Sequence, residues 1–165
     1  MPEKETNQIL VAEREQTVYM QLIGRLTFKL AADFKHFVLE QFDKNKFGIL
    51  IDLSLCESID STFIGTITSL SLRFQKENKK FIRLLNVNAH VRKILQTLGL
   101  INFLDIVDEQ PDQIDYKNLP ISPIGKIETT HLMLDAHETL SSLNEKNALE
   151  FKDVVTYLQE QISDK

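Results

Sequence analysis

Two periods organise the apolar positions of this chain. Near its start Ile9, Leu10 and Val11 form a short apolar run, and Val18, Met20 and Leu22 then alternate with Tyr19, Gln21 and Ile23. Alternation of this kind predicts strands, and the polar Glu13, Arg14, Glu15 and Gln16 between the runs predict a hairpin. Gly24 is read as the turn that follows. The spacing then becomes helical over residues 31–43, with Phe34, Phe37, Val38 and Phe42 on one side and Lys35, Glu40 and Lys44 on the other; Asn45, Lys46, Phe47 and Gly48 end it. Ile49, Leu50, Ile51 and Leu53 predict a buried strand. Helical spacing resumes at Phe63, Ile64, Ile67, Leu70 and Phe74, with Thr66, Ser69, Arg73 and Gln75 as the wet face, and is expected to run to about Asn78. Residues 81–85 read as a strand. Asn88 reads as the cap of a helix carrying Val91, Ile94, Leu95 and Leu98 and closed by Gly99, and residues 103–107 read as a last strand.

Later strands that alternate with helices form parallel crossover units, so the pattern predicts an α/β domain over residues 8–108, a mixed sheet of about five strands with three helices. Beyond it, Pro111, Pro120, Pro123 and Gly125 interrupt any period, and residues 109–127 read as a linker. Residues 128–163 then predict a C-terminal helical extension. One stripe carries Leu132, Met133, Ala136, Leu140 and Leu143, the other Phe151, Val154, Val155, Leu158 and Ile162, with a break over residues 142–147. Two short helices cannot bury both stripes unaided. They fold back on the sheet, pair with each other and a partner, or dimerise.

Composition narrows the function. At 165 residues, 42% hydrophobic and 26% charged, the chain reads as an ordinary globular protein of one domain and an appendage. A net charge of −5, from 19 Lys and Arg against 24 Asp and Glu, supplies no positive field for direct nucleic-acid binding. The basic group Lys79, Lys80 and Arg83 reads as a solvated helix end. A single Cys leaves no intramolecular disulfide, and no apolar run has the length for membrane insertion. The first residues, Met1, Pro2, Glu3, Lys4 and Glu5, lack the apolar core of a signal peptide, and a cytoplasmic location is expected.

The chemistry concentrates at Asp60, Ser61 and Thr62, where a strand gives way to a helix. All three residue types favour a helix cap. A hydroxyl at that point faces backbone N–H groups without partners and the positive end of the macrodipole, where a phosphate is well accommodated. Asp60 can orient the Ser61 hydroxyl or assist removal of its proton, or it serves as a cap alone. A serine hydrolase is poorly supported: the elbow motif needs Gly two residues to either side of the nucleophile, where Ile59 and Phe63 stand, and no spacing makes His36 or His90 a base. His131, Asp135, His137 and Glu138 do not repeat a zinc helix, because the two His are not four apart; they read as a wet helical face, and no metal or cofactor is expected. Cys56, in the loop before Ser61, reads as an apolar filler.

Asp60-Ser61-Thr62, after a hydrophobic strand and opening an amphipathic helix, resembles the Asp-Ser-Ser/Thr-Gly signature of STAS domains of the anti-sigma factor antagonist type. Gly24-Arg25-Leu26-Thr27 is similar to that family's Gly-x-Leu-Asp turn after the second strand, and Leu98-Gly99-Leu100 to the Gly-Leu before its last strand. The resemblance spans residues 8–108. It implies a STAS-like mixed sheet and a non-enzymatic phosphorylation switch, with Ser61 as the phosphorylated residue and Thr62 as a minor acceptor. Implied partners are an anti-sigma factor that is also a serine kinase and a PP2C-type phosphatase, with Arg25, Thr27, Asp60, Ser61, Thr62 and Phe63 as the partner surface. Phe63 departs from the family's Gly and places a ring at the mouth of the helix; Thr27 stands where the family often has Asp. The alternative is a STAS-type scaffold or ligand-sensing module in another signalling pathway.

Overall fold

The computed structural model describes residues 7–77 and 80–164. Residues 1–6, the expected helix end near Asn78, and Lys79 of the basic group lie outside the described residues.

Strands β1 (Gln8–Arg14) and β2 (Thr17–Leu26) form the expected antiparallel hairpin, turned at Glu15 with φ 56°. Helix α1 (Phe28–Asp43) follows, then β3 (Gly48–Asp52), β4 (Cys56–Ile59), α2 (Ser61–Gln75), β5 (Phe81–Leu85), α3 (Ala89–Thr97) and β6 (Asp105–Val107). β2, β3, β5 and β6 run parallel to one another in turn, with β1 antiparallel beside β2. The sheet order is β6-β5-β3-β2-β1, extended at the β1 edge by β7 (Lys117–Asn118), while β4 pairs with the end of β2. The fold is thus a mixed α/β sheet with C-terminal helices α4 (Lys126–Leu143) and α5 (Glu145–Ser163).

Gly24 is not the expected turn. It sits inside β2 with φ +85°, at a register shift between the partners of Gly24 and Arg25, and it lets the strand carry on to Leu26 beside β4. A side chain there would be strained by its φ and would also meet Asn7. Cys56, assigned to a loop, begins β4. The linker is likewise tied down: the chain crosses from the β6 edge to the opposite one, where β7 pairs with β1.

The core is one cluster beneath the helices. Phe34, Val38 and Phe42 of α1 and Phe63, Ile64, Ile67 and Phe74 of α2 pack over Val18, Met20, Ile49 and Ile51 of the sheet. The helical and alternating periods read from the sequence therefore meet along one interface, as apolar stripes on two kinds of element must. The C-terminal helices pack on each other, and α4 also packs on α2, so the extension folds back.

Candidate functional site

The site begins with a cap. Asp60 is the N-cap of α2, and its Oδ1 accepts from the Phe63 N–H at 2.8 Å. Its Oδ2 accepts from the Phe28 N–H, also at 2.8 Å, so the same carboxylate closes the first turn of α1. With both oxygens occupied by backbone amides, Asp60 locks two helix N-termini together. Thr27 contributes a second contact at α1, its hydroxyl accepting from the Lys29 N–H at 3.4 Å.

Ser61 is the first residue of α2 and lies partly buried, so its hydroxyl is not simply held out to solvent. Its Oγ stands 2.8 Å from Nε2 of His137, on α4. The other ring nitrogen, Nδ1, is 2.6 Å from the Met133 carbonyl. A carbonyl only accepts, so Nδ1 carries a hydrogen; in the neutral ring Nε2 is then the acceptor and Ser61 donates. His137 is 6% exposed and its ring stands 5.4 Å from that of Phe151 on α5.

Ser61, Gly65 and Ser69 are spaced four apart and face α4. Ser69 Oγ donates to Asp135 at 3.2 Å. Between them a Cβ added to Gly65 would come within 2.6 Å of the Ala136 carbonyl oxygen, so the missing side chain permits the close crossing of the two helices. The first part of the α2 face read as wet is therefore covered, with Thr66 buried and Ser69 partly so, while Arg73 and Gln75 are exposed as expected.

The hairpin is held at a second place. The turn between α4 and α5 is capped by Asn144, which accepts from the Asn147 N–H, and the side-chain amides of Asn144 and Asn147 both donate to the Leu98 carbonyl at the end of α3. Lys146 Nζ donates to the neighbouring Thr97 carbonyl at 3.2 Å. These carbonyls belong to the last turn of α3, which has no amides of its own left to satisfy them. Between the start of α2, α3 and α5 remains a cleft of about 570 Å³, lined by Ile59, Ser61, Ile64, Lys93 and Phe151 among others.

The other sequence-derived residues fall as follows. Thr62 is 4% exposed and faces inward. Phe63, expected at the mouth of the helix as a partner contact, is fully buried against Phe34, with ring centroids 5.0 Å apart. Its helical spacing with Ile64 and Ile67 places it over the sheet, and the structure corrects its surface role. Arg25 is exposed and lies 3.8 Å from Glu57. His137, read as part of a wet helical face, is in fact the buried neighbour of Ser61. Among the described residues no group of three His, Cys, Asp or Glu gathers that could hold a metal ion, and no helix is long and apolar enough to cross a membrane. Burial pushes the Cys56 thiol up to about 11, outweighing the contrary effect of a backbone hydrogen bond at Ser58.

A parallel-centred sheet, an amphipathic helix opened by Asp60 and Ser61, and a hairpin edge define a STAS domain. Residues 9–107 match the family described as Mlab, STAS domain, and the chain belongs to that family. Among solved structures it is similar to the anti-sigma factor antagonist SpoIIAA in its unphosphorylated form, with a TM-score of 0.55 and 18% identity over 63% of this chain and 90% of that one. It is also similar to the Bacillus cell fate determinant SpoIIAA in the phosphorylated form, with a TM-score of 0.53 and 19% identity over 63% of this chain and 93% of that one. A third is an anti-sigma factor antagonist from Mycobacterium paratuberculosis, with a TM-score of 0.52 and 14% identity over 64% of this chain and 89% of that one. At these identities the likeness is one of fold. No curated protein matches the chain in sequence.

Proposed function

We propose that this chain is an anti-sigma factor antagonist: a binding protein that engages an anti-sigma factor when Ser61 is free and lets go when Ser61 carries phosphate. The observation that carries the reading is the placement of Ser61 as the first residue of α2, directly after its Asp60 cap, in a STAS domain. The anti-sigma factor would itself be the serine kinase. The Ser61 oxygen forms a bond to the γ-phosphorus of ATP, the bond from that phosphorus to the ADP oxygen breaks, and the hydroxyl proton passes to a base. A PP2C-type phosphatase would hydrolyse the ester and restore the free hydroxyl. Ser61, Asp60, Arg25 and Thr27 form the partner surface in this reading, and Thr62 is at most a minor acceptor because its side chain is buried.

The physics of the switch is local. A phosphate adds about −1.5 to −2 charge, which in an interface must be desolvated or repelled. Its own helix N-terminus favours an anion by about 0.3–1 kcal/mol. A loss of about 1.4 kcal/mol at the interface weakens binding tenfold.

Catalysis by Ser61 itself has little support despite the neighbouring His137. The Nδ1 partner is a neutral carbonyl, which does not orient and support the ring as the carboxylate of a catalytic triad does. The cleft beside Ser61 favours a second reading, a STAS-type scaffold or ligand sensor in another signalling pathway.

The test is a pull-down from cells with mapping of phosphosites by mass spectrometry. Phosphate on Ser61, absent in Ser61→Ala, together with capture of a kinase by Ser61→Ala but not by Ser61→Asp, is the expected result. Undiminished phosphate uptake by Ser61→Ala would overturn the assignment.

A further inference from the structure

The geometry points to the α4–α5 hairpin as a lid latched over Ser61 by His137, such that the latched hairpin and a phosphoryl group on Ser61 exclude one another. This rests on the reading of Ser61 as phosphate acceptor and adds the control of that site by the chain's own C-terminal segment.

The latch is a single hydrogen bond between two groups fixed from behind. Ser61 is held at the start of α2 by the Asp60 cap, and the His137 ring is fixed by the Met133 carbonyl and by Phe151. Esterification of Oγ removes the hydrogen that Ser61 gives to Nε2. It also brings three further oxygens to an atom that has Nε2 at 2.8 Å. The ring is backed by the Met133 carbonyl and by Phe151, so it makes room only by moving with α4 away from α2. The added charge enters a half-buried position one residue after Asp60, where its desolvation opposes the favourable pull of the helix N-terminus.

A protein partner that engages free Ser61 must first lift the lid. Ser61, Gly65 and Ser69 form the stripe on which α4 rests, and a kinase that takes Ser61 into its active site must have that stripe uncovered. The contacts of the hairpin on the end of α3, through Asn144, Lys146 and Asn147, do not involve Ser61 and can persist as a tether, as can the Glu128 carboxylate of α4 beside His36 of α1. Opening is thus a local event of the kind that precedes global unfolding.

The test uses the full chain with phosphoserine encoded at position 61, needs no kinase, and reads backbone hydrogen exchange by mass spectrometry. Residues 126–163 are expected to exchange at least about tenfold faster than in the unmodified chain, while β2 and β3 stay protected over the same labelling times. His137→Ala, which removes the latch without adding charge, is expected to speed exchange in the same residues and nowhere else. Unchanged or slower exchange of α4 in the phosphorylated chain overturns the proposal, since His137 would then be holding the phosphate. Simultaneous exchange of α4 and β3 overturns it too, because the hairpin would then be inseparable from the sheet. Neither result bears on whether cells phosphorylate Ser61, and absence of that modification in cells would sink the functional reading while leaving the lid in place.

Discussion

Each oxygen of the Asp60 carboxylate closes a different helix, which makes this residue worth more than an ordinary cap. Replacing a capping side chain by Ala costs about 1 kcal/mol, so Asp60→Ala is expected to lose about 2 kcal/mol. Asp60→Asn keeps one acceptor oxygen and should lose about half as much. Urea unfolding at constant slope separates the two; equal losses would mean that only one of the caps matters. Cys56 has a signature in pH. Its thiol is pushed from 9.0 up to about 11, mainly by burial and further by the Glu57 carboxylate, so the unfolded chain releases this proton first. Between about pH 9 and 11 the folded state binds more protons than the unfolded one, and stability must fall as pH rises through that window. Cys56→Ala is expected to flatten that fall, as measured by denaturant midpoints at several pH values; an unaltered slope would place the loss elsewhere.

At the scale of elements, α2 is unusual in having two buried faces, one over the sheet and one beneath α4. Gly65 lies at the second. Gly→Ala within a helix ordinarily stabilises by about 1 kcal/mol, but here the new Cβ would press on the Ala136 backbone, and a backbone atom cannot swing aside. Gly65→Ala is therefore expected to lower the melting temperature. A rise would show that α4 can shift outward at little cost. The same contrast marks what was legible beforehand. Helix positions followed from apolar spacing, as did β1, β2, β3 and β5, because each has enough residues to express its period. β4 and β7, with four and two residues, do not, whereas the three-residue β6 lies within the strand expected over residues 103–107. Phe63 shared the spacing of Ile64 and Ile67 and so declared itself core; only the family resemblance had placed it at a surface. His137 could not be found, since its bond to Ser61 spans 76 positions and an apolar stripe does not say on which helix it will settle.

Across the whole molecule the question is whether sheet and hairpin unfold as one. The chain leaves the sheet at β6, crosses to the far edge, pairs there as β7, is held by the Ser122 N–H donating to Asp33, and only then enters α4. These anchors are on β1 and α1 and can survive when the hairpin lifts. The hairpin is docked by buried apolar groups such as Leu132 and Leu140, which join the common core at its outer side, whereas β3 is stabilised by Ile49 and Ile51 beneath both helices. Truncation of a buried Leu or Ile to Ala costs about 2–5 kcal/mol. If the hairpin detaches first, unfolding has two steps and each variant marks its own. Leu140→Ala should move the first midpoint to lower denaturant and leave the second in place, because its contacts are already lost in the intermediate. Ile51→Ala should move the second midpoint, because the intermediate still keeps the contacts it removes. A single transition, shifted alike by both substitutions and seen identically by far-ultraviolet circular dichroism and by hydrogen exchange, would mean that the extension is part of one cooperative core. Control of Ser61 would then have to operate without opening.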